Sequence, residues 1–143
     1  MKKLFSPWFS AVTVMVLSSP AFGIITRMTI INHSDFPVQC AFAQIANANP
    51  QAPEVTVFHW FGINNGGSTT FNGRTDGYYC EANGGAITFG GSNAYLCVSR
   101  QQYVNPFFKA NSANDCNNFG GQMVNFVSVN GFGAQTITLN APN

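Results

Sequence analysis

The sequence predicts an all-β protein, built as an antiparallel β-sandwich or a partly closed barrel and stapled by disulfides. Short runs rich in Val, Ile, Thr and Phe recur along residues 24–143, and none shows the sustained period of an amphipathic helix. Adjacent Asn and Gly residues, which tolerate the backbone conformations of tight turns, separate many of these runs. Four cysteines lie among them. These observations are typical of a small exported sandwich.

Nine runs have the composition of short strands. They cover residues 24–32, 36–45, 54–63, 68–71, 78–82, 86–89, 94–100, 123–130 and 135–140. In the last run Ile137 and Leu139 alternate with Thr136 and Thr138, which gives the strand one apolar face and one wet face. We expect this strand at the edge of a sheet.

Hairpin turns are predicted where Asn and Gly adjoin, because both residues tolerate a positive φ. These places are residues 64–67, 72–73, 83–85 and 130–133. Ser34 and Asp35, which precede Phe36-Pro37, are predicted to form the turn between the first two strands. Two longer polar stretches, 46–53 and 105–121, are predicted to be irregular. No block of charge separates the runs, so residues 24–143 are expected to form a single domain.

The amino-terminal segment, residues 1–23, has the pattern of a secretory signal peptide. Lys2 and Lys3 precede an apolar run over residues 9–17, and small residues follow. Cleavage is favoured after Gly23, with Ala21 as the alternative. The apolar run is far shorter than the roughly 20 residues of a spanning helix, so we expect a cleaved leader and no transmembrane segment afterwards. The protein is then periplasmic or secreted.

All four cysteines follow the predicted cleavage site, and an even number in an exported chain indicates two disulfides. Four cysteines allow three pairings. Pairing Cys97 with Cys116 is preferred because it closes the polar loop at residues 111–115, and Cys40 is then left with Cys80. The spacings do not match those of a zinc site, so no metal is expected.

The charge pattern argues against several classes of partner. Only 8% of the residues are charged, and the basic residues do not form the cluster that a nucleic acid requires. Removing Lys2 and Lys3 leaves four basic and five acidic residues, a net charge of −1. The glycine pairs at 84–85 and 90–91 precede no helix, so a phosphate or dinucleotide cofactor is not expected.

Few residues could support catalysis. His59 lies between Phe58 and Trp60, and strand alternation predicts that it faces away from both, which would share a face. The sequence favours a non-catalytic binding or structural module of the envelope or the secreted fraction. The alternative is a small secreted hydrolase that uses His59 with Glu81 or Asp115. Glu81 lies in a strand, where an acid should be paired. Arg74 and Arg100 are the candidate partners.

Aromatic residues are the candidate binding groups. Trp60 lies in a strand rich in aromatic residues, and Phe107 and Phe108 lie in the long polar stretch. Aromatic side chains surrounded by Asn and Gly suit the recognition of a protein or a glycan. Packing in the core is the competing explanation for Trp60, whereas the rings of Phe107 and Phe108 would be harder to bury in a loop.

Several segments occur in the order seen in a family of small exported bacterial proteins, domain of unknown function 1036. They are Ile31-Asn32-His33-Ser34, Phe58-His59-Trp60-Phe61-Gly62-Ile63, Tyr78-Tyr79 with Glu81-Ala82, Cys97-Val98, Asp115-Cys116, Gly120-Gly121 and Phe126-Val127-Ser128-Val129. The chain resembles this family over most of residues 24–140, although Cys40 and Cys80 stand at positions that depart from its pattern. The resemblance implies an exported all-β domain and implies no activity.

Overall fold

A computed structural model describes residues 24–47, 54–91, 94–99, 108–109, 113–118 and 120–141. Its elements are almost all strands, as the sequence predicts. They are β1 (Ile25–His33), β2 (Val38–Asn47), β3 (Glu54–Ile63), β4 (Ser68–Thr75), β5 (Gly77–Ala82), a 3₁₀ turn (Asn83–Gly85), β6 (Ile87–Phe89), β7 (Ala94–Ser99), β8 (Phe108–Lys109), α1 (Ala113–Asn118), β9 (Gly121–Ser128) and β10 (Gly133–Asn140).

The strands form two sheets. The smaller sheet has the order β10-β1-β4, and the larger has the order β7-β9-β5-β2-β3-β8 with β6 added to β5. β9 pairs with the start of β5 and β6 with its end, so the two strands share one edge of β5 and diverge. All the described strand pairs are antiparallel except β1 and β10, which are parallel. β10 lies at a sheet edge, as predicted.

The larger sheet has apolar cores on both faces of its central strands. One core lies against the smaller sheet and contains Met28, Ile30 and Phe42. The other contains Tyr79 and Phe126, because the sheet curls as a half-barrel that folds β7 and β9 over β2, β3 and β5. Every residue of β5 is buried, as expected for a strand that is covered on both faces.

Both predicted disulfides are present. Cys40 and Cys80 are register partners on β2 and β5, with Cα atoms 4.1 Å apart, and their bridge lies in the core next to the smaller sheet. Cys97 and Cys116 join β7 to α1 over a Cα–Cα distance of 5.7 Å. Two disulfides indicate that the protein folds in an oxidising environment.

Several predicted turns differ from those observed. Residues 83–85 do connect a hairpin, between β5 and β6. Residues 72–73 do not form a turn: they lie inside β4, where the pairing with β1 shifts register near Gly73, whose φ is +157°. Residues 64–67 and 130–133 carry the chain from one sheet to the other. Asn and Gly permit a change of direction, but they do not determine which strands then pair.

The stretch at 105–121, predicted to be irregular, contains β8 and the six-residue helix α1. A helix this short has no repeated apolar spacing that a sequence could reveal. It is held by the bridge from Cys97 to Cys116 and packs beside β9.

Candidate functional site

β3 contains a bulge at His59 and Trp60. Phe58 pairs with Phe42 and Phe61 with Cys40, so two residues of β3 lie opposite the single residue Ala41 of β2. The peptide bond between His59 and Trp60 is cis. The bulge interrupts strict alternation, and both side chains therefore reach the backbone of Ser99 on β7. The prediction that His59 faces away from Trp60 is wrong for this reason.

The imidazole of His59 is bonded at both nitrogens. The Ser99 N–H donates to Nε2 at 3.0 Å, and Nδ1 lies 3.3 Å from the carbonyl oxygen of Val57. This arrangement fits the neutral tautomer with its proton on Nδ1. Burial lowers the pKa of His59, because the charged ring would lose its hydration. The ring thus joins β3 to β7 and presents no unbonded nitrogen to a substrate.

Trp60 is bonded to the same residue of β7. Its Nε1–H donates to the Ser99 carbonyl oxygen at 2.9 Å, and its ring makes edge contacts with His59 and Tyr79. Phe58, by contrast, packs against Phe71 on the other face of the sheet, so the prediction that Phe58 and Trp60 share a face is wrong. Trp60 and His59 together close the curled sheet across the gap between β3 and β7. The binding role predicted for Trp60 stays a prediction.

Glu81, one of the two acids predicted to assist His59, is bonded to a different side chain. Glu81 is buried, with 3% exposure, and accepts a hydrogen bond from the Tyr79 hydroxyl at 2.9 Å. Neither nitrogen of His59 bonds a carboxylate in the described part of the chain. Asp115 belongs to α1, but its side chain lies outside the described residues. The predicted pairing of His59 with Asp115 therefore stays a prediction.

Arg74 does not pair with Glu81, which corrects one of the two predicted pairings. Its guanidinium instead forms a forked bond to Asp76, with Nε 3.0 Å from Oδ2 and Nη2 3.2 Å from Oδ1. Asp76 Oδ2 also accepts from the Ile45 N–H at 2.8 Å, so this acid fixes the link from β4 to β5. Arg100, the other candidate, lies outside the described residues.

Phe107 and Phe108, the other two predicted binding residues, lie largely outside the described part of the chain. Phe107 is not among the described residues. Phe108 begins β8, and its backbone pairs with that of Val55 on β3, but its side chain is not described. The prediction that Phe107 and Phe108 bind a partner stays a prediction.

Asn32 is a central hydrogen-bonding residue that the sequence did not single out. It is completely buried, and its Nδ2 lies 2.7, 3.2 and 3.3 Å from the carbonyl oxygens of Phe36, Ile63 and Asn64. Its Oδ1 accepts from the hydroxyl and the N–H of Ser34. Asn32 thereby fixes the predicted turn after β1 to the turn after β3. Its burial also removes it as an acceptor for N-glycosylation in the folded chain, although Asn32-His33-Ser34 is a sequon.

A cleft opens where β6 and β9 diverge along the edge of β5. Its volume is about 280 Å³, and we call it the glycine cleft after the residues that line it: Tyr79, Gly84, Gly85, Thr88, Gly90, Gly91, Gln122, Val124 and Asn125. The Gly91 N–H donates to the Asn125 carbonyl oxygen at 3.3 Å. A Cβ at Gly90 would lie 2.4 Å from that same oxygen. Glycine therefore permits the close approach of two backbones that forms one wall.

The described residues that line the glycine cleft are all uncharged. Thr88, Gln122 and Asn125 supply hydroxyl and amide groups that both donate and accept hydrogen bonds. Tyr95, which is 59% exposed, is the register partner of Asn125 on β7, so the two side chains stand on the same face of the ribbon. A second depression, of about 270 Å³, is more apolar and is lined in part by Ile25, Tyr78, Val127 and Ile137.

Comparison with protein-family models, curated proteins and solved structures found no match. The resemblance to domain of unknown function 1036 therefore stays a prediction. No helix in the described part of the chain has the length and apolar character needed to cross a membrane.

Proposed function

We propose that the chain is an exported, non-catalytic binding module and that the glycine cleft is its ligand site. The observation that carries the proposal is the lining of the cleft, where glycines expose backbone groups between uncharged amide and hydroxyl side chains. Ligand sites fix the orientation of a ligand with a few such polar groups in a concave surface. The export part of the proposal is supported by the two disulfides and by the leader-like pattern of residues 1–23.

The lining favours a neutral saccharide as the ligand. Sugar hydroxyls both donate and accept hydrogen bonds, as do the side chains of Thr88, Gln122 and Asn125. None of the described residues that line the cleft is Lys, Arg, Asp or Glu, so none of them would balance the charge of an anionic or cationic ligand. The volume of about 280 Å³ is near the lower limit of known ligand pockets, which suits one or two sugar rings better than a folded protein surface.

The hydrogen bonds of His59 support a non-catalytic role. Its two ring nitrogens are bonded to the backbones of Ser99 and Val57, and it does not line the glycine cleft. A general base must present a free lone pair to the proton that it removes. His59 would have to break its bond to β7 before it could act in that way.

The test is calorimetric titration of the oxidised protein with a panel of neutral oligosaccharides. Asn125→Ala removes an exposed amide from the cleft and keeps the backbone carbonyl that holds Gly91. Losing one side chain that bonds a ligand costs about 1 to 1.5 kcal/mol, so we expect affinity to fall about tenfold. Thr88→Ala should have a similar effect.

Asn72→Ala is the matched control. Asn72 is also an exposed strand asparagine, but it lies on β4 in the smaller sheet and does not line the cleft. We expect this variant to bind as the unmodified protein does. The proposal is contradicted if no saccharide binds, or if Asn72→Ala weakens binding as much as Asn125→Ala.

A further inference from the structure

The outer edge of β10 has backbone groups that no strand of the described chain pairs. β10 ends the order β10-β1-β4, and Thr29 and Ile31 of β1 are register partners of Thr136 and Thr138. The Gly133 N–H donates inward, to the Ile24 carbonyl oxygen at 3.0 Å. Because N–H directions alternate along a strand, the N–H groups of Thr136 and Thr138 point away from β1.

The other described sheet edges are short, bulged or partly occupied, and such features hinder edge-to-edge pairing. β6 has only three residues, and β3, beyond its two pairs with β8, contains the bulge at His59 and Trp60. β8 has only two residues. The register of β4 shifts near Gly73, and Arg74 lies in the same strand. On β7, both backbone groups of Ser99 are bonded by side chains of β3. β10 combines a length of eight residues with an unbroken register to β1 over Ala134–Asn140. β7 also keeps its register with β9, but it has only six residues.

The sequence of β10 lacks the usual protection of an edge strand. Gly133–Asn140 contains no charged residue and no proline, and edge strands commonly use one or the other to repel a second strand. Phe132, which is 77% exposed, precedes this strand. Ile24, which is 49% exposed and accepts the bond from Gly133, lies at the same end. Two exposed apolar side chains therefore lie near the first residue of β10.

We propose that β10 pairs with β10 of a second copy of this chain, antiparallel about a two-fold axis. Each copy then offers the same edge to the other, as a two-fold interface requires. The smaller sheets of two copies join into one six-stranded sheet. An uncharged strand suits this arrangement, because residues near the two-fold axis of an antiparallel pair lie opposite their own copies, and a charge there would face a like charge. The glycine cleft lies on the other sheet, so the dimer forms independently of the proposed ligand site.

Sedimentation velocity of the oxidised protein over a concentration series tests the proposal. We expect the unmodified protein to sediment as a dimer. Thr138→Lys places a charge on each copy at the paired edge and should shift the protein to a monomer, with the dissociation constant raised at least about tenfold. Thr136→Pro removes an outward N–H and should have the same effect, since the bonds to β1 use other residues.

Thr70→Lys is the control, because Thr70 is an exposed threonine on β4, the opposite edge strand of the same sheet. This variant should remain dimeric, and circular dichroism should show that all the variants fold. A monomer at every concentration of the unmodified protein overturns the proposal. A dimer that survives Thr138→Lys, or that Thr70→Lys weakens equally, also overturns it.

Discussion

At the scale of single residues, the bulge in β3 directs the neighbouring side chains of His59 and Trp60 toward the same residue of β7. They bond the N–H and the carbonyl of the same residue, Ser99. Unpaired backbone groups of a buried strand end are costly, and the two rings satisfy both groups of Ser99. Among the described strands β7 pairs only with β9, so side chains of β3 join the half-barrel to the other side of β7.

The bonding of His59 predicts a pH dependence of stability. Burial lowers the pKa of His59 in the folded state. Below the ordinary imidazole pKa, His59 is therefore protonated to a greater extent in the unfolded chain than in the folded chain. Stability should be complete above the ordinary imidazole pKa, near 6.5, and should fall as the pH drops below that value, at no more than about 1.4 kcal/mol per pH unit for one site. Urea unfolding between pH 7.5 and pH 5 measures this slope.

His59→Gln is the informative comparison for this titration. Its amide oxygen can accept from the Ser99 N–H as Nε2 does, but it does not titrate. The variant should lose the part of the slope that His59 contributes and keep the part that carboxyl groups contribute. Equal slopes in the two proteins would show that His59 does not couple folding to pH.

Asn32 shows why a hydrogen-bonding residue can escape sequence reasoning. In the sequence it is one Asn among many at the end of a strand, next to Ser34, and the turn there was predicted correctly. Its burial follows from the meeting of two turns, at residues 34–37 and 64–67, that are far apart in the chain. Only the tertiary fold brings the carbonyl groups of Phe36, Ile63 and Asn64 around one amide.

At the scale of elements, the packing of α1 against the β7–β9 ribbon depends on a single glycine. A Cβ at Gly121 would lie 2.6 Å from Cys97 Sγ, 2.9 Å from Cys116 Sγ and 2.9 Å from the Val98 carbonyl oxygen. Neither a disulfide nor a strand backbone can move aside easily. We expect Gly121→Ala to destabilise the protein by about 1 to 3 kcal/mol, the usual cost of overpacking.

Thermal unfolding and thiol titration test the role of Gly121. The variant should melt at a lower temperature and should release free Cys97 and Cys116 thiols more readily under mild reduction. Gly62→Ala is the control, since nothing lies within 4 Å of its added Cβ. An unchanged melting temperature for Gly121→Ala would contradict the close packing.

The elements show where prediction from sequence succeeds and where it stops. Alternating apolar residues identified β10 and the face that carries Ile137 and Leu139, because that pattern is local. The bulge at His59 and Trp60 could not be found in this way, since it depends on the register between β3 and β2. The glycine cleft was missed for the same reason: Gly84 and Gly85 were predicted only as hairpin residues, and the divergence of β6 from β9 is a tertiary feature.

At the scale of the whole molecule, the two disulfides and the proposed leader together predict the composition of the mature protein. Mass spectrometry of the exported fraction of the producing organism should find a chain that begins at Ile24, or at Phe22 for the alternative cleavage. Its mass should be lower by the four hydrogens that two disulfides remove. A chain that retains residues 1–23, or that alkylates as free thiols, would contradict export with oxidation.

The parallel pairing of β1 with β10 has a consequence for the order of assembly. β1 begins at Ile25 and β10 ends at Asn140. The sheet that contains β1 is therefore incomplete until the last described strand has been synthesised. Contacts between such distant segments form slowly. Until β10 is synthesised, β1 and β4 lack the third strand of their sheet, so the smaller sheet cannot be completed while its last strand is missing.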